Sequence, residues 1–112
     1  MLTGYDTDLH VPALCDVEVA SALRMSLMAQ RMTQERAVEA LEDHLSLPLT
    51  RHGHQALLAR VLDLRDVLTA YDAVYVALAE ALGAALLTAD QGLARAARAM
   101  TELVVLPEGR AP

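Results

Sequence analysis

Between Thr69 and Ala97 the chain reads "TAYDAVYVALAEALGAALLTADQGLARAA", a stretch rich in alanine and leucine whose fate is burial. "AYDAVYVALAEAL" (70–82) has the pattern of a helix, stopped by Gly83 just past its end, where glycine takes the left-handed conformation at little cost. "AALLT" (84–88) follows as a buried strand, and "QGLARAARAM" (91–100) as another helix. Helix, buried strand and helix in direct succession build a parallel sheet covered by helices. Asp72 and Asp90 sit at the two ends of this apolar core, and a buried, unpaired carboxylate is costly.

The rest of the chain extends the same alternation. Residues 1–8 read as a loop, and "LHVPAL" (9–14) as a short extended run containing Pro12. From Asp16 to about Arg31 the pattern is helical and apolar almost all round (Val17, Val19, Ala20, Ala22, Leu23, Leu27, Met28), which predicts burial on most sides. "MTQERAVEALEDHL" starts a second helix with Thr33 as its N-cap, an apolar stripe of Val38, Leu41 and Leu45, and Glu39, Glu42 and Asp43 facing water. "LSLPL" (45–49) alternates like a strand, and Pro48 confines it to an edge. "HQALLARVLDL" (54–64) reads as a short helix and "ELVVL" (102–106) as a strand closed by Pro107, with 107–112 as a loose tail. The expectation is one α/β domain over all 112 residues, with no repeat and no linker.

Composition removes several classes of function. Nine arginines, no lysine and a net charge of −6 exclude nucleic-acid binding through bulk charge, so an RNA ligand would need local attraction from metal ions or a few arginines. No apolar run reaches the roughly 18 residues of a membrane span, and the longest, Ala81–Ala89, is interrupted by Gly83. No basic start precedes an apolar block, as a secretory signal would require. The single cysteine, Cys15, has no internal disulfide partner, which fits a reducing compartment, the cytoplasm.

Asp90 directly follows the strand 84–88, and in parallel α/β sheets ligands bind beyond the carboxyl ends of the strands. Asp72 falls in the first turn of its helix, where the dipole favours an anion. Glu18 lies near the start of a helix that also follows an extended run. Each of the three alone reads equally as a helix-start residue. Together they can converge on one cleft, and clustered carboxylates without a cationic partner repel one another unless a divalent cation joins them. All-oxygen ligands favour Mg²⁺ or Mn²⁺ over zinc.

"VPALCDVEVASAL", "YDAVYVALAEALG" and "LLTADQGLARAA", in this order, resemble the PIN domain, and most closely the VapC-type toxins of bacterial type II toxin–antitoxin pairs. The likeness spans residues 9–106. It implies an α/β/α sandwich with a short parallel sheet and a Mg²⁺- or Mn²⁺-dependent endoribonuclease toxin that hydrolyses RNA phosphodiester bonds. It also implies a cognate antitoxin as partner and a homodimer. Its acidic residues fall on Glu18, Asp72 and Asp90, and Thr88 matches a hydroxyl position near the metal, although a strand-end threonine needs no such role.

One departure stands out. Family members open with a hydrophobic strand ending in an aspartate, in a "VDTS"-like stretch, which this chain does not contain; Asp6 and Asp8 do not match it. The expectation is therefore an N-terminally truncated domain that lacks the first, central strand and one acidic ligand, with Met1 an internal methionine of a longer natural chain. The alternative is a truncated, catalytically inactive module that acts only by binding a protein partner.

Other features read more plainly. His52 and His54 in "RHGH" suggest a surface turn, since their spacing lacks further zinc ligands. Met25, Met28 and Met32 recur at helical spacing, as core, dimer contact or an adaptable groove for a partner helix. Cys15 reads as a small buried residue, Tyr71 and Tyr75 as core, and Arg95 as a solvated arginine that could reach phosphate.

Overall fold

The structure, a computed structural model, describes residues 8–88, 90–98, 100–101 and 103–105, the last three by backbone alone. The predicted loop at 1–7, the end of the last strand and the tail at 107–112 lie outside the described residues. The architecture is the expected one: helices packed on short parallel strands in an α/β/α arrangement. β1 (Leu9–Pro12) leads through α1 (Leu14–Met28) and α2 (Gln34–Ser46) to β2 (Leu49–His52). A single 3₁₀ turn (Gln55–Leu57), α3 (Leu58–Asp63), α4 (Ala70–Leu82), β3 (Leu86–Thr88), α5 (Gln91–Ala97) and β4 (Leu103–Val105) complete the order.

The strands form two parallel pairs. β1 pairs β2 with Leu9 opposite Leu49 and Pro12 opposite His52, and β3 pairs β4 with Leu86 opposite Leu103. Parallel neighbours need a crossover between them, which the α1–α2 hairpin and α5 supply. A groove of about 200 Å³ separates the two pairs, with Leu9, His10 and Val11 on one side, Ala85 and Leu86 on the other, and Leu78 and Leu82 of α4 among its lining.

Local chemistry sets the helix ends. Thr33 caps α2 by accepting from the Arg36 N–H at 3.1 Å, as its position predicts. Thr69 caps α4 by accepting from the Asp72 N–H at 3.2 Å. Gly83 ends α4 at φ 62°, a left-handed conformation that a side chain would strain.

Two sequence expectations about elements fail. "LSLPL" is not a strand: Leu45 and Ser46 finish α2, Pro48 stands before β2, and the ladder starts at Leu49. The helix already under way claims Leu45 and Ser46, and their local alternation carries no weight against it. The helix predicted from Asp16 begins at Leu14 and contains no buried residue. Val17 is 64% exposed and Met28 72%. The stripe on α2 fares similarly, since only Ala37 is buried there while Val38 and Leu45 are exposed. These two helices pack on each other around a groove of about 300 Å³ lined by Leu23, Leu27, Val38 and Leu41. Among the described residues no further element covers that groove, so the core reading of Met25 and Met28 fails with it.

Burial is concentrated on the other half. Ala73, Val74, Val76, Ala77, Leu78 and Ala79 of α4 are buried, together with Leu57, Val61, Leu64, Leu86, Leu93 and Ala97. α4 is therefore the spine of the domain, and its alanines let neighbouring elements approach closely.

Ion pairs tie the helices at the surface. Arg60 grips both carboxylate oxygens of Glu80 at 2.8 and 2.9 Å, joining α3 to α4. Asp16 accepts from Arg51 Nε and pairs with His44 Nε2, both at 2.7 Å, joining α1 to β2 and α2. The Arg51 and His44 hydrogen bonds hold the Asp16 carboxyl below its ordinary 3.8, and Arg60 holds Glu80 below 4.5. Both groups therefore bind protons more weakly folded than unfolded. Their stabilisation is present above those ordinary values and is lost as the pH falls through the lowered ones. Melting temperature should drop through that acid window, and the drop should be shallower in Arg51→Ala; identical acid profiles for the two proteins would contradict the assignment.

Candidate active site

The three carboxylates singled out in the sequence arrive on three different elements. Asp72 sits in the first turn of α4, and the Thr69 cap sets the start of that helix. Asp90 follows β3 and caps α5, its Oδ1 accepting from the Leu93 N–H at 3.0 Å while its own N–H donates to Thr88 Oγ1 at 3.0 Å. Thr88, at the end of β3, thus shapes the turn that presents Asp90. Glu18 lies one turn into α1, deeper than expected because that helix starts earlier. Its carboxylate accepts a short hydrogen bond from the Tyr75 hydroxyl of α4.

Electrostatics places these groups near one another. Burial, then the negative charges of Asp90 and Glu18, pushes the Asp72 carboxyl above its ordinary value, against an opposing hydrogen bond from Thr69. Asp72 thus feels one carboxylate from the residue that caps α5 and another from one turn into α1, and the three make up an acidic rim. Among the described residues no three acidic, histidine or cysteine side chains form a ready-made ligand cluster for one ion. The rim is open.

The rim suits a hard divalent cation. Its donors are carboxylate oxygens, burial and then the charges of Asp90 and Glu18 raise Asp72, and Arg51 and Arg60 are committed to Asp16 and Glu80. A bound cation would reverse the repulsion that Asp72 experiences.

Tyr75 is the residue that sequence reasoning missed. It reads there as core, yet it is half-buried and its phenol is pushed well above the ordinary value, first by burial and then by its hydrogen bond to Glu18, with the Cys15 thiol beside it. The available signal is its spacing: three residues after Asp72, it shares that residue's face of α4. Tyr71 is 63% exposed, so its core reading fails, whereas Tyr75 does pack against the core cluster. Cys15 is half-buried rather than buried. His52 lies in β2 and not in a surface turn, with its Nε2 2.9 Å from His10 Nδ1, and His54 Nε2 accepts from the Leu14 N–H at 3.0 Å. Both histidines brace the entry to α1. Arg95 is exposed on α5.

Helices packed on short parallel strands define the class, an α/β domain. The chain belongs to the PIN-domain family, among its VapC-like members; the PIN domain model matches residues 2–99. It is 42% identical to "Ribonuclease VapC9" of Mycobacterium tuberculosis (strain ATCC 25618 / H37Rv) over 99 residues, 88% of this chain and 78% of that one. Identity to "Ribonuclease VapC3" of the same strain is 47% over 90 residues, 80% of this chain and 66% of the relative. "Ribonuclease VapC12" is 38% identical over 87 residues, 78% of this chain and 67% of that one.

Proposed function

We propose that the chain is the toxin of a toxin–antitoxin pair, an endoribonuclease that hydrolyses RNA phosphodiester bonds with Mg²⁺ or Mn²⁺ held by Glu18, Asp72 and Asp90. What supports the metal site is that Asp72, Asp90 and Glu18 come from three separate elements, with the Asp72 carboxyl raised by burial and then by the charges of Asp90 and Glu18. The ribonuclease names of the VapC relatives support the reaction.

In this reading Asp72 and Asp90 are ligands, and Glu18 is a ligand or orients the attacking water. When bound, the cation makes water more acidic and stabilises charge at the phosphorus and the leaving oxygen. The chain's own part is to hold the carboxylates in place: Asp72 through the Thr69-capped first turn, and Asp90 through the Thr88 turn and its cap on α5. The bare α1–α2 face, with Met25 and Met28 exposed, supports protein partners, an antitoxin and a second copy of the chain. Among the described residues no helix is long and apolar enough to cross a membrane, and the proposed location is the cytoplasm.

The rival reading, an inactive module that only binds a partner, draws on the open rim, which lacks a ready-made ligand cluster. Incubating the purified protein with total RNA in Mn²⁺, in Mg²⁺ and in excess EDTA separates the two. Discrete cleavage products that vanish with EDTA are expected. RNA left intact in both metals, together with no calorimetric heat of Mn²⁺ binding, would establish the rival.

A further inference from the structure

We infer that Tyr75 is a positioning residue whose hydroxyl holds the Glu18 carboxylate beside Asp72 and Asp90, readying the rim for a divalent cation. The inference rests on the metal-site reading above and adds a residue that nothing in that reading requires.

α1 is poorly anchored toward the rim. It leans on α2 and β1, has no buried residue, and its ion pairs through Asp16 lead away, to β2 and α2. The Tyr75 hydroxyl of α4 reaches α1 by donating to Glu18, with the Cys15 thiol of α1 also against it. Glu18 would otherwise be free to turn outward, because the Asp72 carboxylate repels it and a glutamate side chain loses considerable rotamer freedom when fixed. A single phenolic donor opposes both effects. It occupies one of the roughly four acceptor positions of the carboxylate and leaves the others for a cation. Tyr75 can hold this position because it stands one turn after Asp72 on the same face of the most buried helix in the domain. Ligand-orienting groups of this kind commonly control metal affinity.

The test is Mn²⁺ binding by calorimetry, in the unaltered protein, Tyr75→Phe, Glu18→Gln and the double variant, with melting temperature in EDTA recorded for each. Tyr75→Phe should bind Mn²⁺ about tenfold more weakly or worse. The double variant should bind no more weakly than Glu18→Gln alone, because the tyrosine acts through that carboxylate. A merely structural tyrosine would lower the melting temperature in EDTA and leave the affinity of the folded protein unchanged, which overturns the inference. So does an additive loss in the double variant. If the unaltered protein binds no Mn²⁺, the ribonuclease reading itself fails and this inference falls with it; if it binds and Tyr75→Phe binds equally, only the role of Tyr75 is lost. Should the phenylalanine variant not fold, the ultraviolet difference spectrum on adding Mn²⁺ decides. A tyrosine band present in the unaltered protein and missing in Glu18→Gln supports the link, and the same band in both refutes it.

Discussion

Asp90→Asn should abolish the proposed metal-dependent RNA cleavage while the protein stays folded. Asparagine keeps a side-chain oxygen for the Leu93 N–H, and asparagine and aspartate are near-equal as N-caps, so α5 retains its start. What disappears is the negative charge at the rim. Loss of a group that merely orients a metal ligand typically costs about 10–100-fold, so loss of a ligand should reduce the rate by about a hundredfold or more. Asp72→Asn should reduce cleavage similarly but with an opposite signature in stability. Its carboxyl is raised above the ordinary 3.8, so the ionised form is disfavoured in the fold, and the penalty is fully present at neutral pH and fades as the pH falls toward that value. Asparagine removes it. The melting temperature in EDTA should therefore rise, while the upward shift that Mn²⁺ gives the unaltered protein should vanish. An Asp72→Asn protein that still gains stability from Mn²⁺ would place the metal elsewhere.

Leu64→Ala destabilises the domain by about 2–5 kcal/mol, whereas Met28→Ala changes stability by less than about 0.5 kcal/mol. Leu64 is 4% exposed and packs in the cluster centred on α4, so truncation leaves a cavity that the helices around it cannot fill without moving. Met28 is 72% exposed, and little contact is lost when it is shortened. Urea unfolding of both variants measures the contrast. Comparable losses from the two would mean that the face of α1 is buried in the free protein, against the asymmetry seen here. The same asymmetry has a functional consequence. A 15-residue helix without one buried residue supports the proposed protein partners, and methionines on such a surface adapt readily to different ones.

Much of the fold could be read directly from the residues because it is decided within a few positions. The Thr33 cap, the stop at Gly83 and the helix–strand–helix run from Ala70 to Ala97 all follow from local backbone chemistry. The candidate carboxylates could be singled out for a related reason: in a parallel α/β topology a carboxylate at a helix start after an extended run is carried toward the carboxyl end of a strand. Strand limits were less legible where a helix overran them, as at Leu45 and Ser46.

The sequence by itself determined the α/β class, the caps and which carboxylates stand at helix starts, since each depends on neighbours within a turn or two. Only the tertiary structure decided which apolar faces are covered, that Tyr75 reaches Glu18 across 57 positions, and that Asp16 ties Arg51 and His44 together across 35 and 28. Periodicity reports that a face is apolar; whether it is buried depends on a second surface, and a hydrogen bond depends on where its distant partner has been carried.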